Sequence, residues 1–325
     1  FPLLLTYVFP YGNNAVRQLL KSQYFMKRLV PLCLVMLFSC VKQEPEIQTE
    51  QPPLQSAQLQ TATLLTIKNK PAHIFVVWFE NKGYTQIIGS SNAPYINSLV
   101  SKGTLFTAAY ANYHPSYPNY ITWFAGSSYG VTNDACIDKT PFTAGTLYSS
   151  LAKAGRSFVW YSEGLPQAGS TICKSGYYVE KHNPVTLFKN IPIAANQPLT
   201  ALHLTDTSTF KNLPRVVSVT PNMINDMHDG TIRQGDDWLK AKFGKLINWC
   251  LTNNSIFIVY FDEDNGSQDN RIPVVAVGQY VKANYKLTAK VNHHSFSKFI
   301  LVANNADTTF QSNIRNAKII TNIWK

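Results

Sequence analysis

Charged side chains are scarce in this chain of 325 residues: they form 14% of it, against 45% for hydrophobic residues. This balance excludes an intrinsically disordered protein and predicts a globular one. Internal repeats of solenoid period are absent from the sequence, and no nucleic-acid motif accompanies its excess of 29 basic over 18 acidic residues. We therefore expect one large α/β domain or two small ones, anionic partners, and no nucleic acid.

Cysteine is rare as well, with five residues and no Cys-x-x-Cys spacing, so a zinc site built from thiolates is not expected. Cys33 and Cys40 lie in the first forty residues. Cys136 and Cys173 both lie in loop sequence rich in Gly, Ser and Thr, and we predict that they pair in an oxidising compartment. Cys250 ends a helical stretch and is expected to be a buried thiol.

The N-terminal segment lacks an apolar run long enough to span a bilayer comfortably. Residues 26–40, "MKRLVPLCLVMLFSC", instead combine a basic start, a short apolar run and a cysteine, as a bacterial secretory signal does. The end "LFSC" resembles a lipobox, so residues 1–40 are interpreted as upstream residues and a lipoprotein signal peptide. We expect an exported protein of the cell envelope, in the periplasm or on the outer surface, whose lipid anchor on Cys40 is its membrane contact. An uncleaved N-terminal anchor is the alternative.

Residues 41–70 are rich in Gln, Pro, Glu and Thr and are predicted to form a disordered tether. The remaining residues, 71–325, alternate between apolar runs and helical patterns. The helical patterns occupy residues 93–103 and 143–155, each with a predicted glycine cap, and residues 235–254 and 292–306, the last beginning at Asn292. The apolar runs, typical of strands buried on both faces, occupy residues 73–80, 104–110, 157–163, 215–222, 255–264 and 271–278. This alternation predicts a doubly wound α/β fold with a mostly parallel central sheet.

Polar residues follow three of the predicted strands. Glu80 and Asn81 follow the first, "NDMHDG" with Asp226 follows the fourth, and Asp262 and Glu263 end the fifth. Ligands bind at the carboxyl ends of strands in such sheets, and clustered carboxylates repel one another unless a cation lies between them. The pattern indicates a divalent metal held by oxygen ligands, with histidines nearby. Singly, each acid also fits a turn cap or a solvated hairpin tip.

An ordered set of motifs extends this interpretation: "ENKGY", "HPSYPNY", "KHNP", "PNMINDMHDG" with "GDDWL", "DEDNG" with "NRIPVVAVG", and "NHHSFSKFI". From about residue 73 to about residue 300, the chain resembles the phosphoesterase family of bacterial phospholipases C and acid phosphatases, part of the alkaline phosphatase superfamily. The resemblance implies an alkaline-phosphatase-like three-layer sandwich, so that residues 71–325 form the catalytic domain. "HPSYPNY" and "NDMHDG" with "GDDWL" favour the acid phosphatases.

The resemblance also implies the nucleophile. In this superfamily a serine or threonine at the start of a helix attacks phosphorus, becomes phosphorylated, and is then freed by water. Ser116 stands where "HPSYPNY" passes into a helical run, flanked by two prolines, and free N–H groups at a helix start can bind phosphate. A serine hydroxyl needs a metal to favour its alkoxide. Ser116 as a plain helix cap is compatible with the same pattern.

The remaining site residues are assigned on the same resemblance. Glu80, Asn81, Asp262 and Glu263 are expected around a divalent cation of unknown identity and number. A second group completes the pocket, either binding a second metal or the phosphate: His114, Asp226, His228 and His293. His228 is the first choice as general acid, because imidazole titrates near neutral pH.

Three further residues receive structural interpretations. His182 is expected to be structural, in a turn fixed by Pro184, with a contact to the substrate as the alternative. Asp236 and Asp237 are expected to cap the N-terminus of the helix that follows them, and one of them could orient a histidine.

The predicted function is acid-phosphatase-like hydrolysis of small phosphomonoesters. A phospholipase C acting on phosphodiester head groups and a non-catalytic binding lipoprotein of the same fold are the alternatives. A sulfatase is disfavoured, because the segment 116–120 lacks the arginine of the sulfatase signature. The physiological substrate and the oligomeric state stay open.

Overall fold

The computed structural model describes residues 70–137 and 140–325. The predicted leader with Cys40 and the predicted tether up to residue 69 lie outside the described residues. Within those ranges, no helix is both long and apolar enough to cross a bilayer.

Most strands of the described ranges are short. The bounds of the strands are β1 His73–Phe79, β2 Thr104–Phe106, β3 Ala109–Tyr110, β4 Phe158–Ser162, β5 Lys174–Ser175, β6 Tyr178–Val179, β7 Asn196–Pro198, β8 Val216–Thr220, β9 Ser255–Phe261, β10 Val274–Gly278, β11 Tyr285–Leu287 and β12 Val291–Asn292. Eight of them form one sheet in the order β11-β2-β10-β9-β1-β8-β4-β7, while β12 pairs with β3 and β5 with β6. In the large sheet β10 is antiparallel to both of its neighbours, and the other pairs are parallel.

Helices connect these strands. The α-helices are α1 Tyr84–Ile87, α2 Pro94–Val100, α3 Ser116–Ala125, α4 Leu147–Lys153, α5 Ile232–Cys250, α6 His293–Ala303 and α7 Ser312–Asn316. Short 3-10 helices cover Glu180–His182, Pro184–Leu187, Ile193–Ala195, Leu199–Ala201 and Thr207–Asn212. As predicted, Asn292 caps α6, accepting a hydrogen bond from Ser295 N.

The sheet is covered on both faces, as its uninterrupted apolar strands require. All seven residues of β1 are buried, and successive side chains point to opposite faces. Trp78 packs against Trp123 of α3 at a centroid distance of 5.1 Å, whereas its neighbour Phe79 packs against Trp238 of α5 at 6.4 Å. Helix, sheet and helix thus form three layers, which confirms the predicted three-layer α/β fold with a mostly parallel sheet.

The structure corrects two predictions about helix ends. The predicted glycine cap of α2 is wrong: this helix ends at Val100, and Gly103 instead lets β2 approach β10, because a Cβ there would lie 2.1 Å from Ala276 O. Asp236 was also predicted to cap α5, and this is wrong, because it caps α2 instead. Its carboxylate accepts hydrogen bonds from Tyr95 N and Ile96 N, both 2.8 Å long, in the first turn of α2.

The N-terminus of α5 has its own cap, so neither aspartate is needed there. Thr231 accepts a hydrogen bond from Gln234 N. Asp237 forms an exposed ion pair with Arg233, 2.9 Å long, one turn away on the same helix.

The predicted cysteine pairing is confirmed. Cys136 and Cys173 form a disulfide with their Cα atoms 5.7 Å apart. Cys250 is the last residue of α5 and is a buried free thiol, also as predicted.

Candidate active site

The site forms where two adjacent strands end. Phe79 and Phe261, the last residues of β1 and β9, pair in register, so Glu80 and Asp262 leave the sheet side by side. Both side chains are fully buried. Asn81 N donates a 3.1 Å hydrogen bond to Asp262 Oδ1, which ties the two strand ends together. The predicted convergence of acids at the carboxyl ends of parallel strands is therefore present.

Ser116 is the first residue of α3 and lies 1% exposed among these acids. Its Oγ is 2.9 Å from Glu80 Oε2 and 2.9 Å from Glu263 Oε1. The hydroxyl can donate to either carboxyl oxygen. The fold thus brings the predicted nucleophile to the predicted metal ligands.

A second group of titratable side chains shares Glu80. His182 Nε2 lies 3.2 Å from Glu80 Oε1, and His182 Nδ1 lies 3.3 Å from Asp226 Oδ2. The Tyr120 hydroxyl donates a hydrogen bond to the same Glu80 oxygen. His182 was expected to be structural, but the structure places its ring between two buried carboxylates. The motif "KHNP" marked His182 in the sequence, but the sequence does not show that Glu80 and Asp226 lie on either side of its ring.

Both groups fit a metal ion. Glu80, Asp262 and Glu263 form one group, and Glu80, His182 and Asp226 form the other, with the possible ligand atoms of each within 4.8 Å of one another. Asp262 Oδ2 is buried and has no hydrogen-bond partner among the described residues, and the buried Asp226 Oδ2, although 3.3 Å from His182 Nδ1, accepts no hydrogen bond from them. Oxygen-rich groups with unpartnered acceptor atoms suit a divalent cation.

The electrostatics of these acids support that fit. Burial raises the pKa of Glu80 well above its ordinary value, and the nearby charges of Asp262 and Asp226 raise it further. Burial, followed by the charge of Glu263, raises the pKa of Asp262 to about 7, and burial raises that of Glu263 to about 7. Without added positive charge, burial and mutual repulsion disfavour the ionised forms of these carboxyls. A cation between them would favour the ionised forms that act as ligands.

His114 and His228 both reach the site. His114 bridges two acids: Nδ1 contacts Glu263 Oε2, and Nε2 lies 3.2 Å from Asp264 Oδ1. His228 N donates a 2.8 Å hydrogen bond to Asp226 Oδ1, and its ring centroid is 6.2 Å from that of His182. His228 Nδ1 lies 2.8 Å from an oxygen of the exposed Asp229. The structure thus places both histidines against acids of the candidate site.

His293 does not line the pocket, which corrects its predicted place there. It is fully buried, with Nδ1 2.7 Å from the Tyr260 hydroxyl and Nε2 2.7 Å from the backbone oxygen of Asp262. The carbonyl accepts, so Nε2 carries the proton and Nδ1 accepts from Tyr260. Burial lowers the pKa of His293 to about 3, so the ring is neutral. Its hydrogen bond to the Asp262 backbone oxygen helps to position Asp262, and both ring nitrogens are hydrogen-bonded within the protein.

Asn81 follows Glu80 directly, with its backbone in the left-handed region at φ 27°. Its amide oxygen accepts a 2.8 Å hydrogen bond from Lys82 Nζ. Burial lowers the pKa of Lys82, while the charges of Glu80 and Asp226 oppose that effect. The structure therefore places Asn81 beside the acids, with its side-chain oxygen bonded to a lysine.

Comparison with known proteins agrees with this geometry. The family model described as "Phosphoesterase family" matches residues 77–304. The chain is 38% identical over 256 residues to a phosphatidylinositol-3-phosphatase of Mycobacterium tuberculosis, covering 78% of this chain and 83% of that relative. It is 28% identical over 257 residues to a phosphate-repressible acid phosphatase of Penicillium chrysogenum, covering 76% of this chain and 61% of that relative.

Solved structures show the same fold at much lower identity. A lipoteichoic acid synthase of Listeria monocytogenes superposes with a TM-score of 0.54 at 12% identity, covering 78% of each chain. A protein of the alkaline phosphatase superfamily from Vibrio parahaemolyticus superposes with a TM-score of 0.51 at 15% identity, covering 72% of this chain and 66% of that one. The family model and the 38% identical relative show that the chain belongs to the Phosphoesterase family, whose members are hydrolases acting on phosphoric ester bonds.

Proposed function

We propose that this protein is a metal-dependent phosphomonoesterase that works through a phosphoserine intermediate on Ser116. The observation that carries the proposal is the position of Ser116 Oγ, 2.9 Å from oxygens of both Glu80 and Glu263 at the start of α3. A hydroxyl buried among acids at a helix start is suited to attack phosphorus beside a cation.

Glu80, Asn81, Asp262 and Glu263 are the proposed ligands of one divalent cation. Asp226, with His182 against Glu80, offers a second binding group. The cation supplies positive charge that favours the alkoxide form of Ser116 and stabilises negative charge on the phosphoryl oxygens. Its identity is best decided by elemental analysis of the purified protein.

Side chains of the protein carry out the proton transfers and position the nucleophile. Glu80 and Glu263 orient Ser116 Oγ, one of these two carboxylates accepts its proton, and the oxygen then forms a bond to phosphorus as the bond to the leaving alcohol breaks. His228, at the pocket wall, donates a proton to the departing oxygen. Water then attacks the phosphorus of the phosphoserine, and the bond from phosphorus to Ser116 Oγ breaks. His228 takes a proton from that water, and the protonated carboxyl returns its proton to Ser116 Oγ. Inorganic phosphate is released.

The similarity of the chain to phosphatases supports the proposed substrate class. We propose a phosphomonoester substrate, with phospholipase C activity on diesters as the competing assignment. The test compares p-nitrophenyl phosphate with bis-p-nitrophenyl phosphate, each with and without a chelator. Preference for the diester would reverse the assignment, and activity that survives complete metal removal would refute metal dependence.

We also propose export and a lipid anchor on Cys40. The Cys136–Cys173 disulfide supports an oxidising compartment, where such bonds persist. Cys40→Ser should release soluble protein or leave an unprocessed precursor. A variant that fractionates and migrates like the wild type would refute the anchor.

A further inference from the structure

Lys181 and Asp134 form an ion pair close to the proposed nucleophile, and neither residue has a role in the mechanism proposed for Ser116. Lys181 Nζ lies 2.6 Å from Asp134 Oδ2. The other oxygen, Asp134 Oδ1, accepts a 3.0 Å hydrogen bond from Tyr117 N. Tyr117 directly follows Ser116, so one carboxylate connects the lysine ammonium with the N–H group next to the nucleophile.

The N–H group of Tyr117 is well placed for a phosphoryl oxygen. It lies in the first turn of α3, a helix of ten residues, where backbone N–H groups have no intrahelical acceptor and attract anions. A phosphoryl group attached to Ser116 Oγ places its oxygens next to the N–H of the following residue. The Asp134 carboxylate therefore occupies a position that a phosphate oxygen would take.

The ammonium group of Lys181 pairs with the same carboxylate that accepts a hydrogen bond from the backbone at the start of α3. The side chain of Lys181 is only 14% exposed. A charged lysine this deeply placed, next to the acids of the site, is a strong ligand for an incoming anion.

A disulfide joins the two segments of the chain that carry this ion pair. Cys136 lies two residues after Asp134 and is bonded to Cys173, which immediately precedes β5 and the β5–β6 hairpin. That hairpin runs directly into the short helix Glu180–His182, which carries Lys181. The disulfide therefore fixes the two loops that supply the carboxylate and the ammonium.

We propose that Lys181 Nζ and Tyr117 N–H bind the substrate phosphate, and that Asp134 is an internal anion that the phosphate displaces. This inference rests on the proposed function and adds a basis for selectivity. A monoester phosphate carries up to two negative charges and a diester only one. The dianion therefore competes better with the resident carboxylate for Lys181, which favours monoesters.

The test measures inorganic phosphate binding by calorimetry and the kinetics of p-nitrophenyl phosphate hydrolysis on the metal-loaded protein. Asp134→Asn weakens the competing anion, so the phosphate Kd and KM should both fall by about threefold or more. Lys181→Met should raise both at least about tenfold, because it removes a charged donor. Lys181→Arg keeps the charge and should stay within about threefold of wild type.

Asp237→Asn is the matched control, since it also removes one carboxylate but on the exposed face of α5, where it pairs with Arg233. It should leave both constants unchanged. The inference is overturned if Asp134→Asn raises or does not change the phosphate Kd, or if Lys181→Met binds phosphate like wild type. Wild-type protein that binds phosphate through Lys181 but hydrolyses no ester would instead refute the proposed function alone.

Discussion

Ser116 Oγ lies 2.9 Å from Glu263 Oε1, although 147 positions separate the two residues in the chain. Glu263 follows β9 by two residues, and Ser116 begins α3. Strand order contributes to this proximity, because β9 and β1 are neighbours and end at the same edge, which brings Glu263 close to Glu80, the other carboxyl next to Ser116 Oγ. The reactivity proposed for the serine thus depends on the sheet.

Ser116→Ala should abolish turnover while folding and metal content stay as in the wild type. The change removes the attacking oxygen but none of the acidic side chains, so p-nitrophenyl phosphate hydrolysis should fall at least about a thousandfold. Metal analysis and circular dichroism on the same preparation check the second half of the prediction. Ser98→Ala, on the exposed surface of α2, is the control and should hydrolyse the ester normally. Residual activity within tenfold of wild type would remove Ser116 from the mechanism.

Asp262→Asn should lower metal content and activity together. The amide keeps the size of the side chain but loses its charge, and Asp262 Oδ2 is a buried acceptor with no partner among the described residues. We expect at least a tenfold weaker affinity for the divalent cation, measured by competition with a chelator. Asp237→Asn again serves as the control for a lost carboxylate. Unchanged metal affinity in Asp262→Asn would place the cation elsewhere.

The buried imidazoles of His293 and His294 should make the unfolding free energy depend on pH. Burial lowers their pKa values from 6.5 to about 3 and about 4. Below pH 6.5 the unfolded chain therefore binds protons that the folded chain excludes. The stability that these residues contribute is complete above pH 6.5 and is lost as the pH falls towards 4, by up to about 1.4 kcal/mol per pH unit for each ring.

The measurement is urea unfolding between pH 4 and pH 7, compared with a variant. His294→Asn should lose less stability than the wild type across this range. His203→Asn removes an exposed imidazole and should follow the wild-type curve. Parallel curves for wild type and His294→Asn would show that His294 is protonated in the folded protein.

Removing the Cys136–Cys173 disulfide should destabilise the protein by about 4 kcal/mol, since the bond closes a long loop in the unfolded chain. The sequence separation of its cysteines is 37 residues. The double variant Cys136→Ser/Cys173→Ser and the reduced wild type should unfold at the same denaturant concentration, below that of the oxidised protein. Reductant should leave the double variant unaffected. An unchanged midpoint after complete reduction would contradict the prediction.

The sequence predicted the centre of the fold better than its edges. The buried strands β1, β8 and β9 are mostly apolar, whereas the edge strand β7 is Asn-Gln-Pro and pairs with β4 alone in the described sheet. Such a segment has no apolar signal. The antiparallel direction of β10 was also beyond prediction, because a buried apolar run has the same pattern in either direction.

The site was predictable as a set of residue types but not as a set of contacts. Strand ends indicated the acids, and "HPSYPNY" indicated Ser116. The roles of His182 and His293 depended on which atoms surround each ring after folding: two carboxylates for His182, and a hydroxyl and a carbonyl oxygen for His293. Both rings are buried. Residue type alone therefore could not predict which of the two histidines contacts the site carboxylates.

Glu80 belongs to both groups of side chains that could hold a metal ion, which makes the two groups one unit for protein engineering. A change at Glu80 alters both groups at once, so the effects of paired substitutions across it should not add. Tyr120 extends this dependence, since its hydroxyl donates to a Glu80 oxygen from within α3. A substitution designed to change one group will therefore require compensating changes in the other.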